Sequence, residues 1–218
     1  MEADFWHERW QNNLTGFHLA EVNPYLKAHW PALQLQPAAR VFVPLSGKTL
    51  DLLWLAEQGH EVVGIELSPL AVEAFFAENQ LPVERSQLGQ LELWKSGRIS
   101  LFCGDFFDLT AEILGHIDAV YDRASLVALP PAMRKKYAAK MTELVPLAPK
   151  LLVSLDYDQS KMDGPPFSVS EGEIQDLYQA HYQITLLSAE DVLGNNEKFR
   201  KRGLNAMNEC IYQLKNLG

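Results

Sequence analysis

VFVPLSGKTLDLLWLAEQGHEVVGIELS, residues 41–68, decides the fold. Two short apolar runs, Val41 to Leu45 and Val62 to Leu67, flank a segment of helical spacing that ends at Gly59, which is the pattern of a β-α-β unit. Val41, Phe42 and Val43 favour an extended backbone because branched and aromatic side chains pack well on a pleated face. Gly47 permits a tight turn, Leu50, Leu53, Trp54 and Ala56 supply one buried helical face, and Gly59 ends the helix without a Cβ penalty. The second run is apolar without alternation, so it suits a parallel strand covered on both faces. At its carboxyl end stands Glu66, nineteen positions after Gly47, a spacing that suits an acid gripping a ribose. The same pattern is also met by an ordinary β-α-β unit in which Glu66 is a solvated cap. PLSGKTLD holds a single glycine, so neither a dinucleotide GxGxxG nor a phosphate loop is present, and a pyrophosphate would be poorly housed. A nucleoside without phosphates remains, which sets S-adenosylmethionine against NAD.

With 218 residues, 47% hydrophobic and 22% charged, the chain has the size and composition of one α/β domain with a substantial core. The formal charge of -9 opposes general attraction to nucleic-acid phosphates. No opening stretch reads as a secretion signal and no apolar run is long enough to span a bilayer, so neither a membrane nor a nucleic-acid partner is expected. Cys103 and Cys210 lack neighbours at metal spacing and read as core thiols in a reducing cytoplasm. No HxxxH or CxxC occurs, so no metal is expected.

In the opening ADFWHERWQNNLTGFH, Asp4 is placed to cap a short helix carrying Phe5, Trp6 and Trp10. Trp6, Trp10 and Phe17 then either cover the core or form a lid that closes over a small flat ligand and expels water. A helix is expected over Asn23–Leu33, interrupted by Pro31, and another from a Ser68 cap to about Asn79. Ile99–Cys103 reads as a strand, while Leu88–Trp94 is ambiguous. Asp105 and Phe106, just after that strand, suit an adenine amino group and ring, or else a local turn and core filling. Ile117–Tyr121 reads as a strand with Asp122 and Arg123 at its end, where Arg123 either pairs structurally or offers planar donors to a carboxylate or heterocycle. Further on, a helix is expected over Pro131–Leu144, a strand over Lys150–Leu155, and a constrained loop through Gly164, Pro165 and Pro166. Asp156 and Asp158 read as loop hydrogen-bonders rather than proton-transfer groups. Ser170 and Glu173 fit a capping box, Tyr182–Leu187 a strand, Ser188–Leu193 a helical turn, and Leu204–Leu214 a terminal strand. Lys198, Arg200, Lys201 and Arg202 form a basic turn, either solvated or drawing an anionic acceptor to the site. The sum is about seven strands in one layered domain, residues 1–218, with residues 1–35 as a cover.

FWHERW at 5–10, the 41–68 stretch, ISLFCGDFFDL at 99–109, YDRASLVALPP at 121–131 and SLDYDQSKMDGPPFSV at 154–169 together resemble the thiopurine S-methyltransferase family over nearly the whole chain. The resemblance implies a class I S-adenosylmethionine-dependent methyltransferase: a Rossmann-like, seven-stranded, mostly parallel sheet with helices on both faces. It implies S-adenosylmethionine as donor, S-adenosylhomocysteine as product, and a small aromatic or heterocyclic thiol as acceptor; a cytoplasmic monomer is expected, from the core thiols and because a complete domain gives no physical reason to require an oligomer. Carried onto matching positions, it implies that Trp6, Trp10 and Phe17 cover the donor, Leu45 and Gly47 form the first donor loop, and Glu66 holds the ribose. Asp105 and Phe106 fall in the adenine region, and Arg123 near donor and acceptor, as the catalytic residue. Lys198 stands near a family arginine associated with acceptor binding, with Arg200 two residues on, so acceptor preference is less directly transferred. Other acceptors, such as small thiols, halides or selenium compounds, and an inactive nucleoside-binding regulator are the competing readings.

Overall fold

The computed structural model describes residues 3–217, and the chain parts between Tyr121 and Asp122 into two units. Helix α1 (Ala3–Gln11) opens the first, with Asp4 inside its first turn rather than ahead of it as a cap. Helix α2 (Pro24–His29) is shorter than expected and passes at Trp30 into a 3-10 turn ending at Leu33, because Pro31 has no N–H with which to continue an α-helical ladder. Asn23 caps α2 by accepting from the Tyr25 and Leu26 amides, while its own N–H donates to the buried Asp51 carboxylate at 2.8 Å.

The β-α-β unit is present as β1 (Arg40–Val43), α3 (Asp51–Glu57) and β2 (Glu61–Glu66). Helix α4 (Pro69–Glu78) follows, then β3 (Glu84–Leu88), β4 (Leu91–Ser96) and β5 (Ile99–Cys103), helix α5 (Ala111–Leu114), and β6 (Ala119–Arg123), which crosses the division. In this unit the order is β3-β4-β5-β2-β1-β6, with β5, β2, β1 and β6 parallel and β3 and β4 antiparallel. The ambiguous stretch around Leu88 is therefore a hairpin. Its signal was weak because every residue of β3 is exposed, so the strand carries no apolar alternation.

Val41 pairs with Val62, Phe42 with Val63 and Val43 with Gly64, and all are buried, as parallel strands covered on both faces should be. Gly64 is a packing requirement. A Cβ there would lie 2.4 Å from Leu101 Cδ2 and 3.1 Å from Ser46 Oγ. Strand β6 begins two residues later than expected, so Asp122 and Arg123 are its last two residues rather than the start of the loop.

The second unit holds α6 (Pro131–Leu144), β7 (Lys150–Tyr157), α7 (Glu171–Tyr178), β8 (Tyr182–Asp191), α8 (Glu197–Arg200) and β9 (Met207–Asn216). Strand β9 lies between β7 and β8 and is antiparallel to both. The expected helical turn over Ser188–Leu193 is instead strand through Asp191, with a register shift between Leu186 and Ser188. A 3-10 turn follows only at Leu193–Asn195. The described residues thus hold nine strands against the seven expected, the β3–β4 hairpin being resolved as two strands.

The capping box is half formed. Ser170 Oγ accepts the Glu173 amide, but the Glu173 carboxylate turns to Arg134 of α6, with contacts of 2.7 and 3.0 Å. Arg134 is almost wholly buried, so its charge needs that bidentate partner more than the helix needs the second half of its cap. Lys150 is equally buried. Its ammonium lies 4.6 Å from the centre of the Tyr182 ring, over the carbonyls of Val145 and Ala148.

Two measurements test these placements. Gly64→Ala should destabilise the protein by about 1–3 kcal/mol in urea unfolding, since the inserted methyl has no room. Burial lowers the Lys150 pKa from 10.5 to about 7, with the charge of Asp122 opposing. Between those values the unfolded chain binds a proton that the native chain lacks, so the contribution of Lys150 to stability rises with pH. Against Lys150→Met, the wild type should gain stability as pH rises through that window, by up to about 1.4 kcal/mol per pH unit.

Candidate functional site

In the first unit the site grows from the loop after β1. Leu45 and Gly47 both adopt left-handed backbone, with φ of 45° and 55°, and Ser46 donates its N–H to Ile65 O at 2.9 Å. A leucine held there is strained, and such strain gathers where a loop must take one particular shape. The Gly47 amide donates to Glu66 Oε2 and the Ser68 amide to Glu66 Oε1, both at 2.8 Å. Glu66 is buried, not a solvated cap. Its carboxylate ties the loop after β1 to the loop after β2. Burial raises its pKa, opposed by the amides of Ser68, Gly47 and Leu67 that favour the charged form. Ser68 takes the cap position of α4 without making a side-chain cap, and its own N–H donates to Glu66. Each carboxylate oxygen can accept a second hydrogen bond. The hydroxyls of Ser46 and Ser68 are buried without a partner beside it.

The aromatic cover reaches this loop. The Trp10 ring lies 3.2 Å from where a Cβ on Gly47 would stand, so the glycine is needed both for its backbone and for the indole above it. Phe17 meets Trp6 and Trp10 edge-on, with centroids 5.8 and 5.6 Å apart. Trp10 is buried and Trp6 half-buried, so this group covers core and first loop at once. Trp6, Trp10, Phe17, Leu45, Gly47 and Glu66 are therefore one neighbourhood, spanned by residues from α1 to the tip of β2.

The tip of β5 joins it through Gly104, whose N–H donates to Glu66 O at 2.9 Å. Beyond it Asp105 is exposed and accepts the Phe107 amide at 2.9 Å, capping a 3-10 turn. Phe106 is buried, and Phe107, which meets it edge-on, is the exposed ring of the pair. The local-turn alternative for Asp105 and the core alternative for Phe106 both describe what is seen. Phe107 was not singled out, since two adjacent phenylalanines cannot be ranked until the turn assigns one to the core. Burial, helped by the charges of Glu92 and Glu66, pushes the Cys103 thiol up to about 11, so it is not a ready nucleophile.

In the second unit, Asp122 is buried and accepts the Tyr137 hydroxyl at 2.7 Å. Burial raises its pKa, with Tyr137, Ser125 and Lys150 opposing. Asp122 is thus a bracket for the end of β6, while the half-buried Arg123 beside it acts electrostatically on Glu209 of β9. Ala124, with φ of 64°, turns the chain sharply after Arg123. Glu209 went unnoticed in the sequence; its only trace was that it is the single acid of β9. Asp158 caps a 3-10 turn through the Ser160 amide, and Asp156 accepts from Ser168 Oγ at 3.3 Å, both local roles as expected. The Gly164–Phe167 loop is tied down by bonds from Phe167 N–H to Val127 O and Val169 N–H to Leu155 O. Lys198 and Arg200 are exposed on α8, Lys201 pairs with Glu197, and Arg202 donates to Met162 Sδ.

Among the described residues no three His, Cys, Asp or Glu side chains are grouped to hold a metal, and no helix is long and apolar enough to cross a membrane. An uncharged nucleoside diol suits the first-unit neighbourhood: free acceptor capacity on Glu66, two unpartnered serine hydroxyls, a glycine loop and an aromatic cover.

Residues 1–217 match the family described as Thiopurine S-methyltransferase. A thiopurine S-methyltransferase of Pseudomonas fluorescens is 48% identical over 215 residues, covering 99% of each chain. One of Bordetella petrii is 49% identical over 219 residues, covering all of both. Among solved structures, an S-adenosylmethionine-dependent methyltransferase from Anabaena variabilis superposes with a TM-score of 0.64 at 15% identity, covering 98% of this chain and 94% of its own. The 1,6-didemethyltoxoflavin-N1-methyltransferase of Burkholderia thailandensis, solved with S-adenosylhomocysteine, gives 0.62 at 17% identity, covering 98% and 87%. At those identities the structures establish the methyltransferase fold.

The Glu66 bracket predicts that Glu66→Ala loosens two loops at once. Amide exchange at Gly47 and Ser68 should accelerate together, and unfolding free energy should fall by about 1–3 kcal/mol, the range for leaving buried donors unpaired. Exchange at both amides as slow as in the wild type would contradict the bracket.

Proposed function

We infer that this chain, which belongs to the thiopurine S-methyltransferase family, moves the methyl group of S-adenosylmethionine to the sulfur of thiopurines and related aromatic or heterocyclic thiols. S-adenosylhomocysteine is the second product. The observation that carries the reading is the first loop held between Glu66 below and Trp10 above, in a chain that the family matches from end to end. Donor-side roles follow from position. The second lone pairs of Glu66 receive the ribose hydroxyls, Leu45 and Gly47 shape the backbone around the amino-acid end, and Trp6, Trp10 and Phe17 exclude water. Asp105 offers its remaining carboxylate oxygen to the adenine amino group, with Phe106 and Phe107 forming the apolar wall.

The sulfonium supplies an already activated methyl group, so the protein's work is positioning and desolvation. No dedicated histidine base is needed, because a thiopurine sheds its proton readily near neutral pH. Arg123 orients the acceptor and stabilises negative charge on its sulfur through planar, permanently charged donors. We take residues 1–218 as one catalytic domain acting as a monomer. Its unpaired Cys103 and Cys210 suit a reducing cytoplasm.

Methyl transfer to 6-mercaptopurine tests the acceptor role. Arg123→Ala should lower kcat/KM by about 10-fold or more, roughly 1.4 kcal/mol of transition-state stabilisation, while donor affinity by titration calorimetry stays within about two-fold. An unchanged kcat/KM would remove Arg123 from the reaction.

A further inference from the structure

Two residues of the amino-terminal segment reach the same short stretch of chain. The Trp10 indole lies over Gly47, 3.2 Å from where a Cβ would stand, and the Asn23 N–H donates to Asp51 Oδ1 at 2.8 Å. Between those contacts the chain leaves α1 at Gln11 and runs through residues 12–22 without helix or strand, until Asn23 caps α2. A surface loop whose ends are held close and which packs on its own side chains is an Ω-loop, a type that is frequently functional. Here Phe17, in the middle of the loop, meets Trp6 and Trp10. The receiving stretch has little slack. Thr49 N–H donates to Ser46 O and Asp51 N–H to Thr49 Oγ1, both at 3.3 Å, so the first loop passes directly into α3. Asp51 and Asn23 are both buried, and Asp51 Oδ2 has no hydrogen-bond partner among the described residues. Apolar packing would hold α2 in place at less cost than a buried carboxylate with one oxygen unpaired. What the carboxylate adds is direction: it fixes one backbone atom, the nitrogen at which the loop ends.

We propose that Asp51 is a positioning residue for donor binding, anchoring through the Asn23 N–H the far end of the loop 12–22 so that Trp10 and Phe17 are held over the first donor loop. The assignment deepens the proposed function and rests on its donor site. Asp51 touches no reacting atom and acts through Asn23. With the anchor made, the loop is tethered at both ends and the closed arrangement of the aromatic cover is the populated one. With the anchor lost, the loop is tethered only at Trp10, the closed fraction falls, and apparent donor affinity falls in proportion. The bond needs an acceptor oxygen at this position and not a charge. In Asp51→Asn the side-chain carbonyl keeps it, whereas Asp51→Ala leaves the Asn23 N–H buried without an acceptor.

The experiment measures S-adenosylhomocysteine binding by titration calorimetry, and amide exchange resolved over residues 11–27 with and without that ligand, for wild type, Asp51→Ala and Asp51→Asn. In wild type the ligand should slow exchange at Asn23 and across 12–22 by about 5-fold or more. Asp51→Ala should bind about 10-fold or more weakly and lose that protection, while Asp51→Asn stays within about three-fold of wild type and keeps it. Asp51→Ala with a lowered unfolding temperature but wild-type affinity would overturn the assignment and leave Asp51 a structural residue. Asp51→Asn as weak as Asp51→Ala would trace the effect to charge and overturn the anchor. If Asp51→Ala does not fold, wild-type exchange decides: ligand-induced slowing at Asn23 supports the anchor, and its absence overturns it. Wild-type protein that binds no S-adenosylhomocysteine would overturn the proposed donor site itself, and the assignment with it.

Discussion

A carboxylate withdrawn from water at the tip of β2 is the constraint on which the loops of the first unit depend. Glu66 accepts a backbone amide from the loop after β1 and amides from its own following loop, while its carbonyl receives the Gly104 amide from the tip of β5. Three parallel strands therefore end at one acid. Nothing but backbone donors fills those positions, so the arrangement tolerates change in the loop side chains provided the amides stay in place. The cost of burying the charge appears as a raised pKa, and the amide bonds offset part of it.

The first loop is confined from two directions by different physics. Below, hydrogen bonds set its height. Above, the Trp10 indole rests where any side chain at 47 would project. Leu45 in left-handed backbone and the unpartnered hydroxyl of Ser46 are the local price of that shape. Strain and unsatisfied polar groups in one short loop are what a ligand that pairs with them would relieve.

The second unit handles charge differently. Arg134 is answered by the bidentate Glu173, Asp122 by the Tyr137 hydroxyl, and Lys150 by an aromatic face and the carbonyls of Val145 and Ala148, with the charge of Asp122 opposing the fall in pKa that burial causes. Arg123, half-buried, is the last residue of β6 and follows directly on that bracketed aspartate.

Residues 41–68 carried the β-α-β unit in their apolar runs, since parallel strands buried on both faces leave a local mark. The face of α3 that is buried, however, is Asp51, Leu52 and Leu55, not the expected Leu50, Leu53, Trp54 and Ala56, because the Asp51 carboxylate turns inward to the Asn23 amide. The link between Gly47 and Glu66 was legible in their spacing, and in the fold the Gly47 amide does meet the Glu66 carboxylate. The β3–β4 hairpin was not legible, because an exposed edge strand leaves no apolar rhythm. Neither was the fate of Glu173, which a local rule assigned to a cap and which Arg134, distant in sequence, claimed instead. Which of Phe106 and Phe107 is buried, and which oxygen of Glu66 meets which amide, were decided only when strands remote in sequence came side by side. Propensity and periodicity act between near neighbours along the chain, whereas the pairing of a buried charge is settled by whatever the fold brings within reach of it.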